Sequence, residues 1–185
     1  MLKLDTISYL LQRSHRKTLA IKITREGVLV YAPYRISRAE IDRFVQSKRK
    51  WIEKKLDAQA CRPKLPVLSE AEQRALRCQA KQVLSEKTAL FAKQLGVSYS
   101  QIRIRSQRTR WGSCSGKGNL NFNCLLMLTP EPVQDYVVVH ELCHLREMNH
   151  SASFWSLVES VLPDYRLHKQ WLKENGTALI ERLPE

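Results

Sequence analysis

Residues Tyr136–Trp155 read YVVVHELCHLREMNHSASFW, and this stretch decides how the rest of the chain is understood. It contains His140-Glu141-Leu142-Cys143-His144, an H-E-x-x-H sequence, with a further histidine at His150. Residues four apart lie on one face of a helix, so His140 and His144 can present two imidazoles to one metal ion. Glu141 can lean over the same ion and take a proton from a water bound to it. A catalytic zinc site uses three protein ligands and keeps the fourth position open, which makes His150 the third candidate. The apolar run Tyr136-Val137-Val138-Val139 predicts a buried helix, and Asn149 can supply the left-handed turn that ends it. Three of the five histidines fall between His140 and His150.

A chain of 185 residues can bury a sizeable core. Its 43% hydrophobic and 26% charged content is that of a water-soluble globular protein. The start shows no secretory signal and no apolar run is long enough for a membrane span, so a cytoplasmic protein with no membrane partner is expected. Cys61, Cys78, Cys114, Cys124 and Cys143 lack CxxC spacing and read as reduced thiols. The net charge is +13, and residues 1–60 alone carry 14 basic against 6 acidic side chains. Such a field suits phosphates, nucleic acid or acidic substrates, and equally a charge that only keeps the protein dissolved.

Outward from the central stretch, alternation in residues 6–33 predicts a three-stranded antiparallel meander with a turn at Glu26-Gly27 and a basic tip at Arg13–Lys17. Ser37 and Glu40 form a capping box for a helix, and Lys48–Lys55 continues as a second helical segment with Trp51, Ile52 and Leu56 turned inward. Pro63 and Pro66 mark a boundary near residues 60–68. The expected division is a β-meander and basic helical subdomain over 1–62 and a catalytic domain over 69–185.

Ser69, with Glu72 three residues on, opens a long helix to Leu95 that buries Leu76, Ala80, Val83, Leu84, Leu90, Phe91 and Leu95 and stops at Gly96. Residues 101–107 and 119–126 alternate and predict a second small sheet, with a loop carrying Trp111 between them. After His150, Ser151 caps another helix, and a last helix starts at Asp164 and stops at Asn175-Gly176.

Four segments together resemble the YgjP-like metal-dependent hydrolases, a bacterial branch of the zincin metallopeptidases related to SprT-like proteins. They are RTRWGSCS at Arg108–Ser115, LNFN at Leu120–Asn123, YVVVHELCHL at Tyr136–Leu145 and NHSASFW at Asn149–Trp155. The resemblance implies an α+β, zincin-like fold with a small antiparallel sheet packed on the active-site helix. It also implies His140, His144 and His150 as ligands of one zinc ion per chain. The spacing matches metzincins too, but those have a glycine where this chain has Glu147, and no Met-turn follows.

The leading expectation is a zinc-dependent peptidase with Glu141 as general base on a zinc-bound water. Arg108, Arg110, Trp111, Tyr165 and His168 are the candidates for substrate contacts and oxyanion stabilisation. Arg103, Arg105, Arg108 and Arg110 also suit a nucleotide or other phosphoanhydride substrate. A third expectation is a peptidase recruited to DNA by the basic N-terminal region.

Overall fold

The computed structural model describes residues 7–24, 26–60 and 65–184. Cys61 and Pro63 of the expected connection lie outside the described residues. The chain divides into two compact units, Met1–Pro63 and Lys64–Glu185.

In the first unit, strands β1 (Tyr9–Ser14), β2 (Ala20–Thr24) and β3 (Gly27–Pro33) form a sheet of order β1-β3-β2. This corrects the expected meander, because β1 pairs parallel with β3 and only β2 is antiparallel to it. The reason lies in composition. GVLVYAP is the most continuously apolar of the three strands and buries Val28, Val30 and Ala32, so it takes the centre, where both edges are paired. Residues 15–19 therefore cross the end of β3 instead of folding back as a hairpin, with Arg16 over the Tyr31 ring at 5.4 Å. The basic tip is partly structural: Arg13 Nη1 donates to the carbonyls of Pro33, Tyr34 and Ile36 at 3.0, 2.9 and 2.8 Å.

Helices α1 (Arg38–Ser47) and α2 (Arg49–Ala60) complete this unit. Ser37 and Glu40 form the expected reciprocal cap. Ile41, Val45 and Ile52 close the core against Val28, Val30 and Ala32. Trp51, expected inside, is 44% exposed, because Ile52 beside it on the helix takes the inward position.

The second unit opens with α3 (Glu70–Leu95), capped by Ser69 and Glu72 and ended by Gly96 in the left-handed region. Its buried stripe runs Leu76, Ala80, Leu84, Thr88, Ala92, Leu95. Leu90 falls off that stripe and is 63% exposed, contrary to expectation. Thr88 takes the inward position and satisfies its hydroxyl on the Leu84 carbonyl.

Strands β4 (Gln101–Arg105), β5 (Gly112–Cys114) and β6 (Asn119–Asn123) form a second sheet of order β4-β6-β5. It is mixed rather than antiparallel, since β4 runs parallel to β6. The loop expected around Trp111 thus contributes a strand of its own. β6 stops at Asn123, short of the expected residue 126, because the Asn123 side chain turns the chain. Its Oδ1 accepts from Leu125 N–H at the start of a 3₁₀ turn over Cys124–Leu128, while its Nδ2 donates to the carbonyls of Gln107 and Arg110.

Helices α4 (Glu131–Cys143), α5 (Ala152–Val161) and α6 (Tyr165–Ile180) follow. The core of this unit gathers Leu84, Leu120, Phe122, Leu126, Val138 and Phe154 from all its layers. Helix α6 runs through Asn175-Gly176, where a stop was expected. Gly176 is a packing residue: a β carbon there would lie 3.1 Å from Cζ2 and Nε1 of Trp111, so its absence makes room for the indole. Among the described residues, no helix is long and apolar enough to cross a membrane.

Candidate metal centre

Helix α4 carries the H-E-x-x-H residues in its last turns, and Val137, Val138, Val139, Leu142 and Cys143 bury it on several sides. The helix ends at Cys143, with His144 as its C-terminal cap, earlier than the end expected at Asn149. Leu145 and Arg146 continue as a tight turn bonded to the carbonyls of Leu142 and Cys143. His144 stabilises the change of direction itself, because its Nδ1 lies 3.0 Å from the Glu147 carbonyl. A carbonyl only accepts, so Nδ1 carries the proton and Nε2 is left with a free lone pair. Glu147 therefore serves through its backbone.

The turn returns the chain so that His150 meets the helix just before Ser151 caps α5, its Oγ accepting from Phe154 N–H. His150 Nε2 is 3.1 Å from His140 Nε2, and one ring nitrogen of each of His140, His144 and His150 falls within 4.8 Å of the others. Zinc–imidazole bonds of about 2.0–2.1 Å at a tetrahedral angle separate two nitrogens by roughly 3.3 Å. The three histidines therefore fit a metal ion in donor type, and the His140–His150 pair stands at about that spacing. Among the described residues, they are the one group of His, Cys, Asp or Glu side chains close enough to do so.

Electrostatics favour the neutral rings that a metal requires. Burial, then the neighbouring His144, His150 and Lys169, pushes the His140 imidazole down to about 3. His150 is also lowered, by burial first and then by His144 and Lys169. His140 Nδ1 is buried and has no hydrogen-bond partner among the described residues.

Phe154 and Trp155 hold the rings. The Phe154 ring, fully buried, lies 4.9, 4.6 and 4.8 Å from the rings of His140, His144 and His150. Trp155 stacks on His150 at 5.6 Å and on Tyr165 at 5.3 Å, and Lys169 Nζ sits 3.9 Å from its ring centre.

Glu141 is 6% exposed and opens into the same cleft, about 280 Å³, lined by Gly112, Ser113, Cys114, His140, Glu141, His144, Met148 and His150. Burial pushes its carboxyl up to about 8, while the charge of Arg110 draws it the other way. Strand β5 thus forms one wall. Ser113 is positioned there by Asn121, whose Nδ2 donates to Ser113 Oγ at 3.2 Å. Burial and the charge of Glu141 push the Cys114 thiol up to about 11. Cys78, Cys114, Cys124 and Cys143 are free thiols.

Sequence reasoning named Arg108, Arg110, Trp111, Tyr165 and His168 for substrate contacts, and none of them lines this cleft. Arg108 Nη1 donates to the carbonyls of Leu183 and Pro184, Trp111 packs against Gly176, and Tyr165 is buried between Trp155 and Tyr136. The segment around Trp111, a candidate for lining the cleft, does so through Gly112, Ser113 and Cys114 rather than through its arginines and indole, and Met148 was not foreseen. The signal for the first three was the short glycine-containing polar run after Trp111, which reads as loop until its pairing with β6 is known.

The family model for YgjP-like proteins, metallopeptidase domain, matches residues 17–75 and 67–175. Among solved structures, the metallopeptidase zymogen abylysin of Pyrococcus abyssi superposes with a TM-score of 0.45 at 24% identity, covering 49% of this chain and 93% of its own. The metallopeptidase zymogen jannalysin of Methanocaldococcus jannaschii gives 0.42 at 18% identity, covering 47% and 93%. No curated protein sequence matches. The family model spans most of the chain and includes all three clustered histidines, so the chain belongs to the YgjP-like metallopeptidase family.

Proposed function

We propose that this chain is a zinc-dependent peptidase in which His140, His144 and His150 hold one zinc ion and Glu141 is the general base. The observation that carries this reading is the meeting of three imidazole nitrogens, within 4.8 Å of one another, with a buried carboxylate in one cleft. When bound, zinc supplies a Lewis acid that acidifies water and polarises a carbonyl. Glu141 takes a proton from the attacking water at one carboxylate oxygen and later gives it to the leaving amine nitrogen. Strand β5 pairs with β6 on one side, and its other edge offers a peptide backbone a ladder along the cleft wall.

Of the four arginines expected to favour a phosphoanhydride substrate, none lines the cleft, and only Arg110 acts on it, through its charge on Glu141. Arg103 and Arg105 project from β4, and Arg108 is occupied by the C-terminal carbonyls. This dispersal supports a peptide substrate over a nucleotide. The test is a parallel screen of unfolded proteins, peptides and nucleoside triphosphates with wild type and Glu141→Gln, each assayed for zinc. Peptide cleavage lost in the variant supports the reading. Triphosphate hydrolysis without peptide cleavage overturns it.

A further inference from the structure

Strand β4 forms the edge of the second sheet opposite β5. It pairs with β6 on one side and has no strand on the other among the described residues. Such an edge leaves alternate backbone N–H and C=O groups without ladder partners. Helix α3 passes beside it, and between them lies a groove of about 510 Å³. Half-buried Ile102 and Ile104 line it, together with four cationic side chains, Arg77 and Lys81 from α3 and Arg103 and Arg105 from β4. Arg77 is fixed by a hydrogen bond from Nη1 to Ser106 Oγ at 3.2 Å. No carboxylate lines the groove, and none of the four cations is ion-paired among the described residues.

We propose that this groove binds an extended acidic segment of a partner polypeptide, added as a fourth strand along β4. The free edge asks for a peptide backbone, which pairs at the usual strand spacing of about 4.8 Å. The alternation on β4 then dictates the partner's alternation. Side chains directly opposite on one face of paired strands interact, so positions facing Arg103 and Arg105 take Asp or Glu. Positions of the other parity face Ile102 and Ile104 and take apolar residues. The ligand is therefore a short run alternating acidic and apolar residues.

A second copy of this chain is the wrong occupant, because β4 against β4 would set arginines against arginines, and like charges directly opposite destabilise a pair. Single-stranded nucleic acid is disfavoured because no aromatic side chain lines the groove to stack a base. The groove lies on the sheet edge away from the metal cleft, so binding there does not depend on Glu141 or on zinc.

The test uses the full chain and a fluorescent peptide of about ten residues alternating Glu and Val, long enough for one strand. Three comparison probes are a Lys/Val counterpart, the Glu/Val peptide N-methylated at alternate residues, and an oligothymidine. The expected result is binding of the Glu/Val peptide, equal in wild type and Glu141→Gln. The double variant Arg103→Glu/Arg105→Glu should weaken it about tenfold or more, since reversed charges turn attraction into repulsion. N-methylation should abolish binding by removing the donors of the ladder. Lys81→Glu, on the helix and outside the ladder, tests the charge if the strand variant fails to fold. Absence of binding, equal binding of the N-methylated peptide, or indifference to both charge variants overturns the proposal. Tighter binding of the oligothymidine, with displacement of the peptide, replaces it with a nucleic-acid groove.

Discussion

Glu141 occupies the space that a side chain on Gly112 would need. A β carbon at Gly112 would sit 2.5 Å from Glu141 Oε1, 2.7 Å from Cγ and 2.9 Å from Cδ. The close approach joins β5 to α4. No small adjustment of the glutamate tip relieves it, because three successive atoms of the side chain are involved. Gly112→Ala is therefore predicted to displace the Glu141 carboxylate while leaving the ligands in place. Misplacing a catalytic group by about 1 Å costs on the order of 10²-fold in rate. The expected outcome is a fall of that size in kcat with normal zinc content, together with a loss of roughly 1–3 kcal/mol in stability from overpacking. Normal activity in this variant would show that the catalytic base lies elsewhere.

Glu141→Gln keeps the volume and removes the proton acceptor. Hydrolysis should drop by about 10²–10⁴, the range of a general base. Zinc content and thermal stability should match wild type. Loss of zinc in this variant would make Glu141 a ligand and end its assignment as base.

In the proposed site, His150 is the histidine supplied from outside helix α4, reached only after the turn at His144–Asn149. Removing it leaves His140 and His144, two donors on one helix. His150→Ala should sharply reduce zinc retained through a desalting column. It should also reduce the rise in Tm on adding zinc, which for wild type corresponds to about 2.7 kcal/mol when free ion is 100 times Kd. His168→Ala, changed at a histidine outside the cluster, should behave as wild type in both measurements. A chelator should lower the Tm of wild type toward that of His150→Ala.

Local rules made part of this site legible in advance. The pairing of His140 with His144 follows from helix periodicity alone, and the caps at Ser37 and Ser69 follow from residues three positions apart. What could not be read was non-local. That β1 and β4 run parallel to the third strand of their sheets depends on which strand is apolar enough to be central, a comparison across the sheet. Gly176 looks like a helix stop until Trp111, far away in sequence, is placed against it. The meeting of Gly112 with Glu141 is of the same kind. The α4 end was misplaced because Asn149 offered a familiar stop signal, whereas the true end at Cys143 is stabilised by a histidine ring on a backbone carbonyl.

Helix α4 is tied to α3 by Lys87, whose Nζ donates to Asp135 Oδ1 at 2.6 Å and to Glu131 Oε1 at 2.8 Å. Burial works against the Lys87 cation, but the hydrogen bonds to Asp135 and Glu131 outweigh it and hold its pKa above the usual lysine value. The hydrogen bond from Lys87, then its charge, holds Glu131 below the usual carboxylate range. A raised lysine contributes stability that is complete below the unfolded value, about 10.4, and is lost as pH rises through the higher folded value. A lowered glutamate contributes stability that is present above about 4.3 and is lost as pH falls through the lower folded value. Lys87→Met should therefore destabilise the protein most between about pH 5 and pH 10, by roughly 1–3 kcal/mol for the lost hydrogen bond to the largely buried Asp135. Denaturant unfolding of both proteins across pH measures the gap. It should narrow on the acid side as Glu131 protonates and on the alkaline side as Lys87 loses its proton, and a gap of constant size across the whole range would mean that Lys87 acts through packing of its stem alone.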